Sequence, residues 1–322
     1  MTVNLTIIGL GQIGTSIGLA LAAHTDKVQR TGHDKSREQA SKAQKLGAID
    51  KVESNLPRSV ENADLVILSL PFDAIEETLE HIAPDLRPHC VVVDTAPYKT
   101  PVADWARTYL PPGCHYIGLV PGISPNHLAS VERPPHASLF KDGVIGLVTP
   151  PDTSGEALQL VSDLVTLLGA QPFFIDMTEA DNLMASAHLL PQLLAAALLD
   201  MTVEAPGWRE MRRLAGRPYA VATLNAASQD DPTTLARAAL GNPQASLHAI
   251  DAFIQILASI RESIVDAQAD ELTRRIEQAQ DGRDTWWLER ASGDWQKIEF
   301  GISAEQPRNP SLFGEWFGRK RN

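Results

Sequence analysis

Apolar residues fall in short unbroken runs through the first half of the chain and at helical spacing through the second. Residues 5–10 form one such run, punctuated by Gly9, and read as a buried parallel strand. A helical stretch is expected over 13–23, a second strand over 28–34 and a helix over 36–46. Residues 65–70, Leu-Val-Ile-Leu-Ser-Leu, are another continuous apolar run, and 74–82 have helical spacing. Further buried strands are expected at 91–94 and 143–148. Strands and helices alternating in this way predict an α/β domain built on a doubly wound parallel sheet.

Near residue 177 the pattern changes. From there to about 280, Ala, Leu and charged residues recur at helical spacing with few β-branched clusters. Leu247, Ile250, Phe253, Ile254 and Leu257 fall on one face of a long helix. This half reads as an all-helical domain whose apolar stripe serves either an internal core or a homodimer. Trp286, Trp287, Trp295 and Trp316 lie amid Gly, Pro and charges, which suggests an irregular tail anchored by its aromatics. The expected division is therefore 1–176, 177–285 and 286–322.

A length of 322 residues suits two domains, and 43% hydrophobic with 21% charged residues is ordinary for a soluble chain with a sizeable core. The net charge of −12 argues against a nucleic-acid or anionic-membrane partner. A small anionic substrate stays open, since a few local cations can dominate a pocket. Cys90 and Cys114 match no metal-ligand spacing and suit a reducing compartment. Residues 1–4 run straight into an apolar strand with no basic leader, so a cytoplasmic location is expected. The most apolar later stretch, 189–201, contains Pro191, Gln192 and Asp200 and is too short to span a bilayer.

The strongest motif is Gly9-Leu10-Gly11-Gln12-Ile13-Gly14, a G-x-G-x-x-G set between a strand and a helix. The first glycine permits the tight turn, and the second lets the backbone approach a pyrophosphate. The third allows close helix–strand packing, with phosphates at the helix N-terminus. Asp34 follows at the spacing of about 20 residues that suits a carboxylate accepting from ribose hydroxyls. Together these residues predict a Rossmann-type nicotinamide-dinucleotide site. Asp34 repels a 2′-phosphate and favours NAD, whereas Lys35 and Arg37 beside it keep NADP open. Ser69-Leu70-Pro71 closes a strand at the carboxyl edge of the sheet, where ligands sit, unless Pro71 is only a strand terminator. Thr95, at the end of the next strand, is expected to face the same crevice.

Several segments carry a wider likeness: residues 8–14, Lys45-Leu46-Gly47-Ala48-Ile49-Asp50, and residues 63–71. Leu139-Phe140-Lys141-Asp142-Gly143 leading to Leu147-Val148-Thr149-Pro150 extends it, as does Met177-Thr178-Glu179-Ala180-Asp181. Asn242 and the helix over 246–264 complete the order. On these segments the chain resembles the prephenate/arogenate dehydrogenase family over about residues 5–285. The resemblance implies an NAD(P)-dependent oxidoreductase of tyrosine biosynthesis, acting on a small anionic substrate and assembled as a homodimer. Such enzymes oxidise the ring hydroxyl of prephenate or arogenate, pass a hydride to the nicotinamide and release carbon dioxide. The site must then supply an acceptor for the hydroxyl proton and donors that hold carboxylates in register.

The chain departs from the family pattern at the substrate. The family's His-Pro pair appears as Val120-Pro121, and its Ser-His-Leu-Pro-His run corresponds, without gaps, to His188-Leu189-Leu190-Pro191-Gln192. Its Asp-x-Gly-Ser-x-Lys becomes Asp94-Thr95-Ala96-Pro97-Tyr98-Lys99, and its Thr-Arg pair falls at Thr223-Leu224. Replacement groups are His127 and His188 as proton acceptors, since an imidazole titrates near neutrality. A surface-loop His127 and a core or helix-end His188 are the plainer alternatives. Lys99 is a candidate carboxylate ligand, or else a solvated lysine. Arg217 is a candidate guanidinium, with Arg212 and Arg213 as neighbours that compete for the role. A dehydrogenase for another small substrate and a catalytically silent NAD-binding protein are the competing functions. No metal is called for.

Overall fold

The structure is a computed structural model that describes residues 2–128, 133–227 and 231–293. Strand β1 (Val3–Ile8) leads to helix α1 (Gln12–Ala20), then β2 (Val28–His33) and α2 (Arg37–Lys45). Next come the short β3 (Lys51–Val52), α3 (Leu56–Val60), β4 (Leu65–Leu68) and α4 (Phe72–Ile82). The sheet continues through β5 (Val91–Asp94), α5 (Thr100–Tyr109) and β6 (His115–Pro121), followed by the single turn α6 (Pro125–Leu128). It finishes with β7 (Val144–Val148), α7 (Gly155–Leu167) and β8 (Gln171–Phe174).

These strands form one eight-stranded sheet in the order β3-β2-β1-β4-β5-β6-β7-β8. Only β6 and β7 run antiparallel. The chain leaves β1 toward one edge and returns to β4 on its other side, so a crevice opens between their carboxyl ends. β4 and β5 are buried at every residue, which is why they read as continuous apolar runs. Ser36 caps α2 by accepting from the Gln39 N–H, so the expected start of that helix is right to one residue. β6 and β8 escaped the sequence reading. Their residues, His-Tyr-Ile-Gly-Leu-Val-Pro and Gln-Pro-Phe-Phe, break the apolar pattern, and Pro172 is tolerated because β8 is an edge strand.

The second half is helical. α8 (Met177–Met184) passes through a π-turn (Ala185–Leu189) into α9 (Leu190–Val203). The continuous run Met177–Val203 has 27 residues, longer than the apolar stretch expected at 189–201, and by length and composition alone it could cross a membrane. Its buried carboxylate is nonetheless engaged within the protein. Asp181 is buried and accepts from the backbone N–H groups of Lys99 at 2.6 Å and Thr100 at 3.1 Å. The same carboxylate accepts from Asn242 Nδ2 at 2.7 Å, which ties the sheet to the helical half.

Short helices α10 (Trp208–Leu214) and α11 (Arg217–Ala222) precede α12 (Pro232–Gly241), α13 (Pro243–Val265) and α14 (Ala269–Ser292). α13 packs inward through its small residues Ala245, Ser246 and Ala249, with the Ser246 hydroxyl 3.0 Å from the Tyr98 hydroxyl. The apolar stripe singled out from the sequence faces elsewhere: Leu247, Ile254 and Leu257 are all about half exposed in the single chain. Ile250 and Phe253 of the same stripe are partly buried, so the chain itself covers only part of it. One boundary also needs correction. Trp286 and Trp287 belong to α14, which runs to Ser292 and stops at Gly293 in the left-handed region, so no irregular tail begins at 286. Trp295 and Trp316 lie outside the described residues.

Candidate active site

The glycine loop between β1 and α1 is built as its motif requires. Gly9 has φ +92°, and a Cβ there would run into the Ser69 carbonyl oxygen. A Cβ on Gly14 would run into the Gly9 carbonyl oxygen, so the third glycine closes helix against strand. Gly11 differs: nothing lies within 4 Å of the Cβ position, which leaves open space where a pyrophosphate would approach the backbone. Gly11 is also the N-cap of α1 and brings no side-chain acceptor, so the first-turn N–H groups are left to a ligand anion. Asp34 stands just past β2 and braces the loop. Its two carboxylate oxygens accept from the Leu10 and Ser36 N–H groups, each at 2.8 Å. A dinucleotide therefore fits the residues present: an open glycine for the pyrophosphate and a fixed carboxylate for the ribose.

A cleft of about 400 Å³ begins at this loop. Gly11, Gln12, Ile13, Ser69, Leu70, Pro71 and Thr95 form its sheet-side wall, as the sequence suggested. The helical domain supplies the opposite wall through His188, Leu189 and Gln192 of the α8–α9 run and Thr234 of α12. A second lobe of about 360 Å³ shares Gln12, Ile123, Arg133, His188 and Gln192 with the first and adds His127 and Asn225. His127 and His188 thus line one continuous space. Lys35 is exposed beside Asp34 and lines neither lobe.

His188 lines the cleft from within the π-turn. A π-turn holds one residue more than the α-helical turn it replaces, and Pro191 just after it has no N–H to close an α-type bond.

His127 sits in a small polar relay. Its Nε2 is 3.0 Å from the Ser138 hydroxyl, which is 2.8 Å from His136 Nδ1. That Nδ1 accepts from the Ser138 backbone N–H, so His136 is unprotonated there. The Ser138 hydroxyl can then donate to His136 and accept from His127 Nε2–H, leaving His127 Nδ1 as an acceptor. Partial burial lowers the His127 pKa, and the His136 ring at 4.8 Å lowers it further, so the imidazole is neutral at pH 7.

Two other expectations change. Lys99 does not reach the cleft: its side chain is wholly buried and its ammonium lies 2.8 Å from Asp94 Oδ1. Gly118 leaves room for its stem, because a Cβ there would meet Lys99 Cδ. Arg217 is exposed on α11 and lines neither lobe. The arginine that lines both lobes is instead Arg133, which sequence reasoning missed. Its sequence context, just before Pro134-Pro135 in the loop between β6 and β7, gave no sign of this. Val120, standing where the family pattern has histidine, packs over Gly146 of β7 and does not line the cleft.

With this geometry in hand, the chain compares closely with known proteins. The nucleotide-binding domain of prephenate dehydrogenase matches residues 17–173, and the dimerization domain of the same enzyme matches residues 176–278. The chain belongs to the prephenate dehydrogenase family. It is by that membership a nicotinamide-dependent dehydrogenase. Cyclohexadienyl dehydrogenase of Zymomonas mobilis is 28% identical over 287 residues, covering 87% of this chain and 94% of the relative. Prephenate dehydrogenase of Bacillus subtilis is 27% identical over 285 residues, covering 87% of this chain and 75% of the relative. The fold is that of A. aeolicus prephenate dehydrogenase solved with hydroxyphenyl propionate and NAD+. That structure has a TM-score of 0.78 at 22% identity, covering 88% of this chain and 98% of the other.

Proposed function

We propose that this family member is an NAD-dependent dehydrogenase that oxidatively decarboxylates a cyclohexadienyl substrate, prephenate or arogenate, in tyrosine biosynthesis. The observation that carries the reading is the shared cleft. Gly11, in the loop that Asp34 braces, lines it together with Ser69 and Thr95 of the sheet domain, and His188, Gln192 and Arg133 line it as well. The bound nicotinamide supplies the hydride acceptor. His188, common to both lobes, takes the proton of the ring hydroxyl as an imidazole acceptor. His127 lines the outer lobe and is its alternative. The Arg133 guanidinium anchors a substrate carboxylate. The apolar walls formed by Ile13, Leu70, Ile123 and Leu189 keep water from the reacting ring.

Asp34 favours NAD over NADP, because a carboxylate held rigidly by two N–H groups repels a 2′-phosphate. The division into a dinucleotide domain through 176 and a helical substrate and dimerisation domain from 177 follows the change of architecture between β8 and α8. The exposed stripe on α13 supports a homodimer. A cytoplasmic location accords with a biosynthetic role. The test is to supply prephenate or arogenate with NAD or NADP and follow reduced nicotinamide by absorbance. Turnover with NAD on either substrate is expected. Tight NAD binding without turnover on both would remove this reading in favour of a binder without catalysis or an unrelated substrate.

A further inference from the structure

Gln192 is 7% exposed, and its side chain lies where the two lobes of the cleft meet. Its Nε2 donates to the His188 carbonyl oxygen at 3.0 Å. Nε2 also lies 3.4 Å from His188 Nε2, which accepts from it in the tautomer that leaves that ring nitrogen unprotonated. The shorter bond to the carbonyl decides the amide orientation, because the flipped form would set Oε1 against that carbonyl oxygen at 3.0 Å, acceptor against acceptor. Oε1 is left with no hydrogen-bond partner, the one buried side-chain polar atom in that condition among the described residues. A buried acceptor without a donor costs free energy in the unliganded protein, and native structures retain such atoms where something else completes them.

We propose that Gln192 Oε1 is a specificity-determining acceptor for an N–H or O–H donor on the bound substrate. The amide is neutral and not basic, so it orients the substrate and does not take its proton. A ligand that offers only acceptors at this point, such as a keto oxygen or carboxylate, meets a like dipole. The inference rests on the proposed function for its substrate class. Within that class the donor has two sources: the ring hydroxyl, common to prephenate and arogenate, and the side-chain ammonium, present in arogenate alone.

The test uses the full chain loaded with NAD, with calorimetry on L-tyrosine, 3-(4-hydroxyphenyl)propionate and 3-phenylpropionate. These carry hydroxyl plus ammonium, hydroxyl only, and neither donor. The wild type should bind at least one donor-bearing probe about tenfold tighter than 3-phenylpropionate. Gln192→Met, which keeps length and removes the acceptor, should erase that preference. Loss for both donor-bearing probes assigns the hydroxyl, and loss for tyrosine alone assigns the ammonium. The unfolding midpoint of the ligand-free variant reports folding, and Gln192→Leu repeats the test if the methionine variant does not fold. The inference is overturned if the wild type shows no preference for a donor or binds none of the probes. It is equally overturned if either folded variant retains the preference within about twofold. Turnover on prephenate and arogenate is measured in parallel. Donor-dependent binding without turnover removes only the proposed function, and turnover with binding indifferent to Gln192 removes only this inference.

Discussion

Lys99 Nζ and Asp94 Oδ1 are 2.8 Å apart in the interior, with both side chains wholly buried. The Tyr116 hydroxyl donates to the other oxygen of Asp94 at 2.6 Å. Burial pulls the Lys99 pKa down while the charge and hydrogen bond of Asp94 pull it back. Burial first, and then Asp94, push Tyr116 well above the usual phenol range, so it stays a donor. The Lys99 ammonium is thus committed to Asp94, at the end of β5, next to the Thr95 that lines the cleft.

Lys99→Met should therefore act on stability. Removing one partner leaves an uncompensated buried charge, a loss of about 3–5 kcal/mol, measured by urea denaturation. Adding Asp94→Asn should restore part of the loss. An unchanged urea midpoint together with a large rise in substrate KM would return Lys99 to carboxylate binding.

Asp34→Ala should weaken NAD binding by about tenfold or more, the worth of a hydrogen bond to a charged acceptor. The same change removes the repulsion against a 2′-phosphate while Lys35 stays beside the site. The ratio of NAD to NADP affinity should fall, and titration of each cofactor by calorimetry reads it directly. Equal losses for the two cofactors would contradict the discriminating role.

Arg133→Ala should raise substrate KM by about tenfold or more, the worth of a charge-assisted bond to a carboxylate. The Kd for NAD should hold steady. Arg217→Ala should leave both near wild type, because Arg217 lines neither lobe. If the two variants exchanged these behaviours, the anchor would lie on α11.

The cofactor half of the site was legible because its constraints are local. A strand, a G-x-G-x-x-G and a carboxylate after the next strand are fixed by backbone geometry, and Gly9, Gly11, Gly14 and Asp34 stand where the pattern put them. The substrate half depends on contacts between distant segments. Spacing gave no sign that Lys99 would be absorbed by Asp94, nor that Arg133 would face the helical domain. The π-turn that carries His188 was equally hidden, because helical spacing of apolar residues does not mark where a single turn widens. The stripe on α13 was legible as apolar, but its exposure was not, since periodicity marks a face without saying what covers it.

The depressed pKa of His127 has a consequence for stability. With the folded pKa below the ordinary histidine value, the unfolded chain takes up the proton first as pH falls. Its contribution is fully present above about pH 6.5 and is lost as pH drops from there toward the folded value. His127→Asn removes that titration. The fall in urea midpoint between about pH 7.5 and 5.5 should shrink in the variant, and an undiminished fall would assign it to other groups.

The α13 stripe leads to the last prediction. Leu247, Ile254 and Leu257 are exposed on a face whose opposite side packs closely against the sheet domain through Ala245, Ser246 and Ala249. Large apolar side chains grouped on a long helix in this way mark an interaction surface. A homodimer would bury the stripe against its own copy, each side supplying the same apolar residues. Ile254→Glu together with Leu257→Glu would bring four carboxylates into a twofold interface, against two guanidinium groups from Arg261 at the end of the same face. Sedimentation velocity should then show a monomer where the wild type shows a dimer. NAD affinity should persist, since Gly11 and Asp34 lie on the sheet domain, away from α13. A variant that remained dimeric would place the contact on another face of the helical domain.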